Sequence, residues 1–275
     1  MYTLNCKGRL LVIDKPLVMG IINTTPDSFY VGSRFMGEAG VLKQAEHMLK
    51  AGAKILDIGG QSTRPNSAVV SVEEELQRVT GAIESLHYNF PEAIISIDTY
   101  YARVAAEAVA AGASIINDIS AGIVDPGIIT TAGALQVPYV CTHIKGTPDT
   151  MQQHATYENI TREVLDFFIQ KIAECQQAGI TDIIIDPGFG FAKTPSHNFT
   201  LLKHLKMLAV LNKPVLVGLS RKSTIYKTLG ITPEEALNGT TVLNTVALLN
   251  GAHILRVHDV KEAKEAIALL HPLTP

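Results

Sequence analysis

Ala111-Gly112-Ala113-Ser114-Ile115-Ile116-Asn117-Asp118 passes in eight residues from the close of a helix, through a short apolar run, to two polar side chains. Gly112 stands where the helical pattern of residues 101–111 stops, and glycine closes a helix there without a Cβ penalty. The same device recurs at Ala51-Gly52-Ala53, Ala178-Gly179-Ile180 and Asn250-Gly251-Ala252, each ahead of another apolar run. In all there are eight runs, over residues 17–22, 54–56, 94–97, 114–116, 138–142, 182–185, 214–219 and 253–255. Continuous Val/Ile/Leu runs mark strands buried on both faces, which means a parallel sheet covered by helices. Helical stretches alternate with them, over residues 39–51, 72–86, 101–111, 126–135, 157–178, 196–209, 233–250 and 260–270. The pattern predicts an α/β fold, a (β/α)8 TIM barrel, with its site at the carboxyl ends of the strands.

At 275 residues the chain suits one barrel, and no linker, low-complexity tract or composition shift divides it, so a single domain over residues 1–275 is expected. Lys7-Gly8-Arg9, between two short β-like runs in residues 5–14, predicts an N-terminal hairpin outside or beneath the barrel. Apolar residues make up 47% of the chain, enough for a large core. The net charge of −3, without a run of Lys or Arg, argues against nucleic acid or an anionic membrane as a partner. The start of the chain is polar and no segment reaches the roughly 18 apolar residues of a membrane span. Cys6, Cys141 and Cys175 are scattered, odd in number and without metal or redox spacing. They read as reduced thiols of a cytoplasmic protein. Residues 24–37 and 60–71 are too long to be mere connectors and are expected to act as binding loops or lids on the catalytic face.

Nearly every run ends on a side chain capable of polar chemistry. The first reaches Asn23, a plausible oxygen ligand for a divalent ion held mainly by substrate phosphates. The second reaches Asp57 and Gly59. Asp98, Asn117 and Asp186 end the third, fourth and sixth. Burying carboxylates without partners is costly, and no Lys or Arg stands beside these in sequence. A ligand is therefore expected to supply the donors, as the N–H and amino edge of a 2-amino-4-oxo-pyrimidine would. Asp118 and Asp125 are better read as caps of local structure. His143, ending the fifth run, reads as a hydrogen-bonded structural group. Ser220-Arg221-Lys222-Ser223 ends the seventh run and opens a short helix, a place that attracts carboxylate or phosphate. Arg256 and His258, two apart at the end of the eighth, share one face and predict an anion site. Thr63-Arg64-Pro65 on the second loop adds another cation.

The segments that carry these residues resemble the dihydropteroate synthases, the pterin-coupling enzymes of folate biosynthesis. The resemblance runs in order through Met19-Gly20-Ile21-Ile22-Asn23-Thr24-Thr25-Pro26-Asp27-Ser28-Phe29, Gly60-Gln61-Ser62-Thr63-Arg64-Pro65 and Ser96-Ile97-Asp98-Thr99. It continues through Ile116-Asn117-Asp118-Ile119, His143-Ile144-Lys145-Gly146-Thr147-Pro148, Asp186-Pro187-Gly188-Phe189-Gly190-Phe191, Leu219-Ser220-Arg221-Lys222-Ser223 and Arg256-Val257-His258-Asp259. Any one segment is modest; eight at successive strand ends are specific.

The resemblance implies a transferase that joins 6-hydroxymethyl-7,8-dihydropterin pyrophosphate to 4-aminobenzoate, and implies that sulfonamide mimics of 4-aminobenzoate bind. By resemblance, Asp98, Asn117, Asp186 and Lys222 hold the pterin ring. Asn23, Thr63, Arg64, Arg256 and His258 hold the pyrophosphate, with Asn23 also touching Mg2+. Ser223 receives the aminobenzoate carboxylate, and Phe189 and Lys222 pack about its ring. Lys222, Arg256, His258 and Asn23 are the residues implied to act in the chemistry, and a homodimer is the implied assembly. Three positions depart from the family pattern: Val31 where the first loop usually carries an acid, Gln61 where Glu is usual, and Thr142 where Met is usual. Two other readings compete. A methyltetrahydrofolate:corrinoid methyltransferase shares the pterin barrel but has no need of Lys222 or the Thr63-Arg64 loop. A non-catalytic pterin-binding paralogue has only the three departures to support it.

Overall fold

A computed structural model describes residues 1–24, 38–61 and 70–273. β1 (Tyr2–Cys6) and β2 (Arg9–Ile13) form an antiparallel hairpin turned by Lys7 and Gly8, at φ 53° and 83°. Two successive positive φ values match the right-handed twist of the flanking strands, and Gly8 N–H donates to Asn5 Oδ1 at 2.7 Å. Alternate residues Leu4, Cys6, Leu11 and Ile13 are buried against Leu17, Met19, Ile55, Ile94, Ile115, Val140, Ile184, Leu216 and Ile254. The hairpin therefore lies beneath the barrel and plugs its floor.

The barrel strands are β3 (Leu17–Asn23), β4 (Ile55–Gly59), β5 (Ile94–Asp98), β6 (Ile115–Asp118), β7 (Tyr139–Thr142), β8 (Ile183–Asp186), β9 (Leu216–Val217) and β10 (Ile254–Val257). They are parallel in the order β8-β7-β6-β5-β4-β3-β10-β9, and a bridge between Ile185 and Val215 closes the ring. α1 (Glu38–Lys50), α2 (Val72–Asn89), α3 (Ala102–Ala111), α4 (Gly127–Leu135), α5 (Ile160–Gln177), α6 (Pro195–Lys203), α7 (Ser223–Leu229), α8 (Leu237–Leu249) and α9 (Val260–Leu270) surround it. Outward strand residues such as Val18, Leu56, Ile58, Ile95, Ile97, Ile116 and Leu255 form the main core with Val41, Met48, Val79, Ile83, Leu86, Val104 and Phe168 of the helices. No helix among the described residues is long and apolar enough to cross a membrane.

Several boundaries move inward from the sequence expectation, for local reasons. α5 starts at Ile160 and not at residue 157, because Asn159 caps it by accepting from Arg162 N–H. The helix expected over 196–209 is two pieces: α6, opened by a Thr194–His197 capping box with Pro195 in its first turn, and a 3-10 segment, Leu205–Leu211. α8 starts at Leu237, four residues after Pro233. The seventh strand is reduced to Leu216–Val217, and the chain then enters a turn closed by Lys222 N–H to Leu219 O at 3.2 Å. The helix-closing glycines Gly52, Gly112, Gly179 and Gly251 all hold positive φ.

Candidate active site

Parity along each strand decides what the barrel holds. With Met19, Ile55, Ile94 and Ile115 turned inward onto the floor, Asn23, Asp57, Gly59, Ser96, Asp98 and Asn117 must also point inward, nearer the carboxyl rim. Asn23, Gly59, Asp98 and Asn117 are cross-strand neighbours in sequence around the rim, and Thr142 sits opposite Asp186. Gly59 leaves a hollow there. A Cβ on it would lie 3.6 Å from both Asn23 Oδ1 and Asp98 Oδ2. The sequence reading of Asp98, Asn117 and Asp186 as inward groups corresponds to burial at 7%, 1% and 6% exposure.

Their donors are not left to a ligand, as expected, but come largely from the protein. Arg256 reaches across the barrel from β10, giving Nε–H to Asp57 Oδ2 at 2.6 Å and Nη2–H to Asp98 Oδ2 at 2.5 Å. Asn117 Nδ2 donates to the same Asp57 oxygen at 3.0 Å. Asp57 is fully buried, and sequence reasoning gave it no role although it lies two before Gly59 on the inward face. It fixes the Asn117 amide so that Oδ1 is left as the acceptor, and that oxygen is buried without a partner. Burial pushes the Asp98 carboxyl up to about 7 even though Arg256 pulls it down. Burial alone would lower the Arg256 guanidinium, but Asp57 and Asp98 outweigh it and hold it above its usual range. Arg256 is thus partly neutralised before any anion arrives.

On the opposite side Asp186 Oδ1 accepts from Gly188 N–H at 2.7 Å. Burial raises its carboxyl above the usual carboxylate range against the pull of Lys222. Lys222 is brought down to about 8 by burial, with Asp186 opposing, and donates to Phe189 O at 2.6 Å. Its ammonium also lies 4.6 Å from the Phe191 ring centre. Here the aromatic assignment needs correcting. The Phe189 ring is fully buried in the core between strands and helices, so Phe189 contributes its carbonyl to the site and not a ring face. Phe191 is the aromatic beside Lys222.

The turn that carries both is tightly held. Lys193, 4% exposed, donates to Gly188 O and Phe191 O at 3.0 Å each and meets His143 Nδ1 at 2.8 Å. Burial brings both Lys193 and His143 well below their ordinary values. His143 also packs edge-on against Phe167, which makes it a structural group. Sequence reasoning missed Lys193 and the neighbouring Asn198.

Other positions divide cleanly. Asp118 accepts from Ser120 and Gly122 N–H and from Tyr139 O–H, closing a loop, and Asp125 accepts from Ala102 and Gly127 N–H. Arg221, at φ 54°, forks onto both oxygens of Asp259 and so braces the β9–α7 turn. His258 is half-buried, its Nδ1 3.1 Å from Ser220 Oγ. Ser223 opens α7 one residue after Lys222. Gln61 Oε1 accepts from Tyr100 O–H and Val70 N–H, tying down the end of the second loop. Thr142 Oγ1 and Ser96 Oγ are buried without partners, as is Asp57 Oδ1. Thr63, Arg64 and Val31 lie outside the described residues.

Among the described residues no three or more His, Cys, Asp or Glu side chains converge as a metal cage. Asn23 Oδ1, facing the Gly59 hollow, fits a magnesium ion held mainly by substrate phosphates.

An eight-stranded barrel whose rim presents buried acids, an amide and a lysine has the architecture of a barrel enzyme with its site at the carboxyl ends of the strands. The pterin binding enzyme model matches residues 19–258. The dihydropteroate synthase of Escherichia coli K12 is 45% identical over 266 residues, covering 96% of this chain and 94% of the relative. The Yersinia pestis dihydropteroate synthase, solved as a sulfonamide complex, superposes with a TM-score of 0.95 at 40% identity, covering 99% of both chains. The Xanthomonas albilineans enzyme in complex with 7,8-dihydropteroate gives 0.88 at 38% identity, over the whole of each chain. This chain belongs to the pterin binding enzymes and, within them, to the dihydropteroate synthase family.

Proposed function

We propose that the protein condenses 6-hydroxymethyl-7,8-dihydropterin pyrophosphate with 4-aminobenzoate, giving 7,8-dihydropteroate and pyrophosphate. The observation that carries the ring assignment is the Asn117 amide. Asp57 fixes its orientation, leaving a buried, unpaired Oδ1 at the same rim as Asp98, Asp186 and Lys222. A pterin edge offers N–H groups to such an acceptor and to the Asp186 carboxylate, while Lys222 suits the ring carbonyl.

In this reading His258, Asn23 and the remaining N–H groups of Arg256 receive the pyrophosphate, with Thr63 and Arg64. Mg2+, when bound with the substrate and Asn23, supplies positive charge to the leaving oxygens. The pterin methylene C–O bond breaks and pyrophosphate takes the electron pair. The aniline nitrogen then forms the C–N bond and releases a proton to water. The arylamine is neutral at pH 7, so no strong base is needed, and stabilising the departing anion contributes most. Ser223 takes the aminobenzoate carboxylate and Phe191 lies beside its ring, the half-site a sulfonamide would share.

A homodimer is the assembly proposed. Val242 and Leu249, seven apart and hence on one face of α8, are 52% and 48% exposed. Cys6, Cys141 and Cys175 are all free and buried, which suits a reducing, cytoplasmic setting.

Calorimetric titration with the pterin pyrophosphate tests the ring assignment. Asp186→Ala and Asn117→Ala are each expected to weaken binding by about 1–3 kcal/mol while remaining folded, because each leaves a buried ligand group unpaired. Native affinity in both variants would refute the assignment.

A further inference from the structure

The two substrates are gripped by different elements. The pterin readers Asp98, Asn117 and Asp186 sit on strand ends, whereas Lys222 caps and Ser223 opens α7, a seven-residue helix that follows a strand of only two residues. Something must hold α7 at a fixed distance from the β8 turn, and the side chain placed to do so is Asn198, on the first turn of α6. Its Oδ1 accepts from Gly190 N–H at 3.0 Å, and its Nδ2 donates to Thr224 Oγ1 at 2.8 Å. Asn198 and Thr224 are 2% and 1% exposed, so water does not compete for either bond. Gly190 lies between Phe189, whose carbonyl meets Lys222, and Phe191, whose ring lies under the same ammonium. Thr224 follows Ser223.

We propose that Asn198 is a positioning residue that fixes the start of α7, with Ser223, against the β8 turn, and so sets where the arylamine stands relative to the strand-end pterin readers, an inference that rests on the condensation reading above. The geometry demands an acceptor on one side and a donor on the other, and a planar amide supplies both from one rigid group. Lys222 makes a second link between the same two elements, but its ammonium faces the pterin site, where a bound ring would recruit it. The Asn198 bridge lies behind the site and does not depend on occupancy. Capture of the methylene by the amine needs the nitrogen about 3–3.5 Å away with its lone pair aimed at the carbon, and an error of about 1 Å costs on the order of a hundredfold in rate. Asn198 touches neither substrate; it acts through where Ser223 and Phe191 stand.

Thr224→Val keeps the shape of the side chain and removes the acceptor, and Thr224→Ser keeps the hydroxyl. In steady-state kinetics Thr224→Val is expected to lower kcat/KM for 4-aminobenzoate about ten- to a hundredfold. Its calorimetric affinity for the pterin pyrophosphate alone should stay within about twofold of native, as should all parameters of Thr224→Ser. Affinity for 7,8-dihydropteroate, which spans both halves, should fall in Thr224→Val and recover in Thr224→Ser. Thr224→Ala removes the same acceptor without added bulk and serves if the valine variant does not fold. Unchanged kinetics in a folded Thr224→Val, equal losses toward both substrates, or no recovery with serine would each overturn the proposal. An unsubstituted protein that releases no pyrophosphate would instead contradict the condensation reading, and the dihydropteroate titration would still decide the spacing.

Discussion

Arg256 is asked to do two things at once. It neutralises Asp57 and Asp98 inside the barrel, and its side chain stays 15% exposed at the rim. Read from sequence, it belongs to the phosphates alone, and on that reading its loss would spare an unphosphorylated pterin. The structure changes that expectation, because Arg256 holds Asp98, one of the proposed pterin readers. Arg256→Ala should therefore weaken pterin with and without its pyrophosphate. It should also destabilise the fold by about 3–5 kcal/mol, since a carboxylate at 0% exposure is left without its charged partner. Urea unfolding of Arg256→Ala and of the double variant with Asp57→Asn checks this: the second substitution is expected to recover part of the loss. Additive losses would show that the two side chains are not coupled.

At the level of elements, α2 carries a charge that the fold does not pair. Glu75 is fully buried behind the end of β4, close to Gly60, and neither carboxyl oxygen makes a well-aligned hydrogen bond among the described residues, although Thr99 lies near enough to favour the charged form. Burial pushes its carboxyl up to about 7. Between its unfolded value of 4.5 and about 7 the folded protein keeps the proton and the unfolded chain releases it. Stability contributed at this site therefore falls as pH rises through that window. Glu75→Gln should match the native protein near pH 4.5 and exceed it by about 2–3 kcal/mol at pH 8, by urea unfolding at the two pH values. An equal difference at both would rule out the titration. The strand ends were legible in sequence because parity is strict along a strand, which places Asn23, Asp98, Asn117, Asp186 and Arg256 without further information. Parity fails beyond Asp186, where Gly188 and Gly190 take positive φ, so it could not check Phe189, which came from the resemblance alone; the ring beside Lys222 is that of Phe191. Lys193 and Asn198 escaped notice because their partners His143 and Thr224 are 50 and 26 residues away. Asp57 lay in plain view on the right face, but its partner is 199 residues distant.

Across the whole molecule the barrel has one end for stability and one for chemistry. The floor is an apolar plug made by the hairpin and the first inward residues of the strands. The rim holds the buried polar groups. Leu11→Ala, on β2, should cost about 2–5 kcal/mol of unfolding free energy, yet leave KM for both substrates unchanged, because nothing connects it to the rim but rigid strands. A shift in either KM would mean that the floor governs the site. Whether this rim joins a dihydropterin to an arylamine is decided by following pyrophosphate release and dihydropteroate formation together, with and without EDTA. Release should require 4-aminobenzoate, match dihydropteroate one for one and stop when Mg2+ is removed, even though Val31 stands where the family's first loop usually carries an acid. Tight binding of both substrates without release of pyrophosphate would contradict the condensation and mark the chain as a pterin-binding protein that has lost its chemistry.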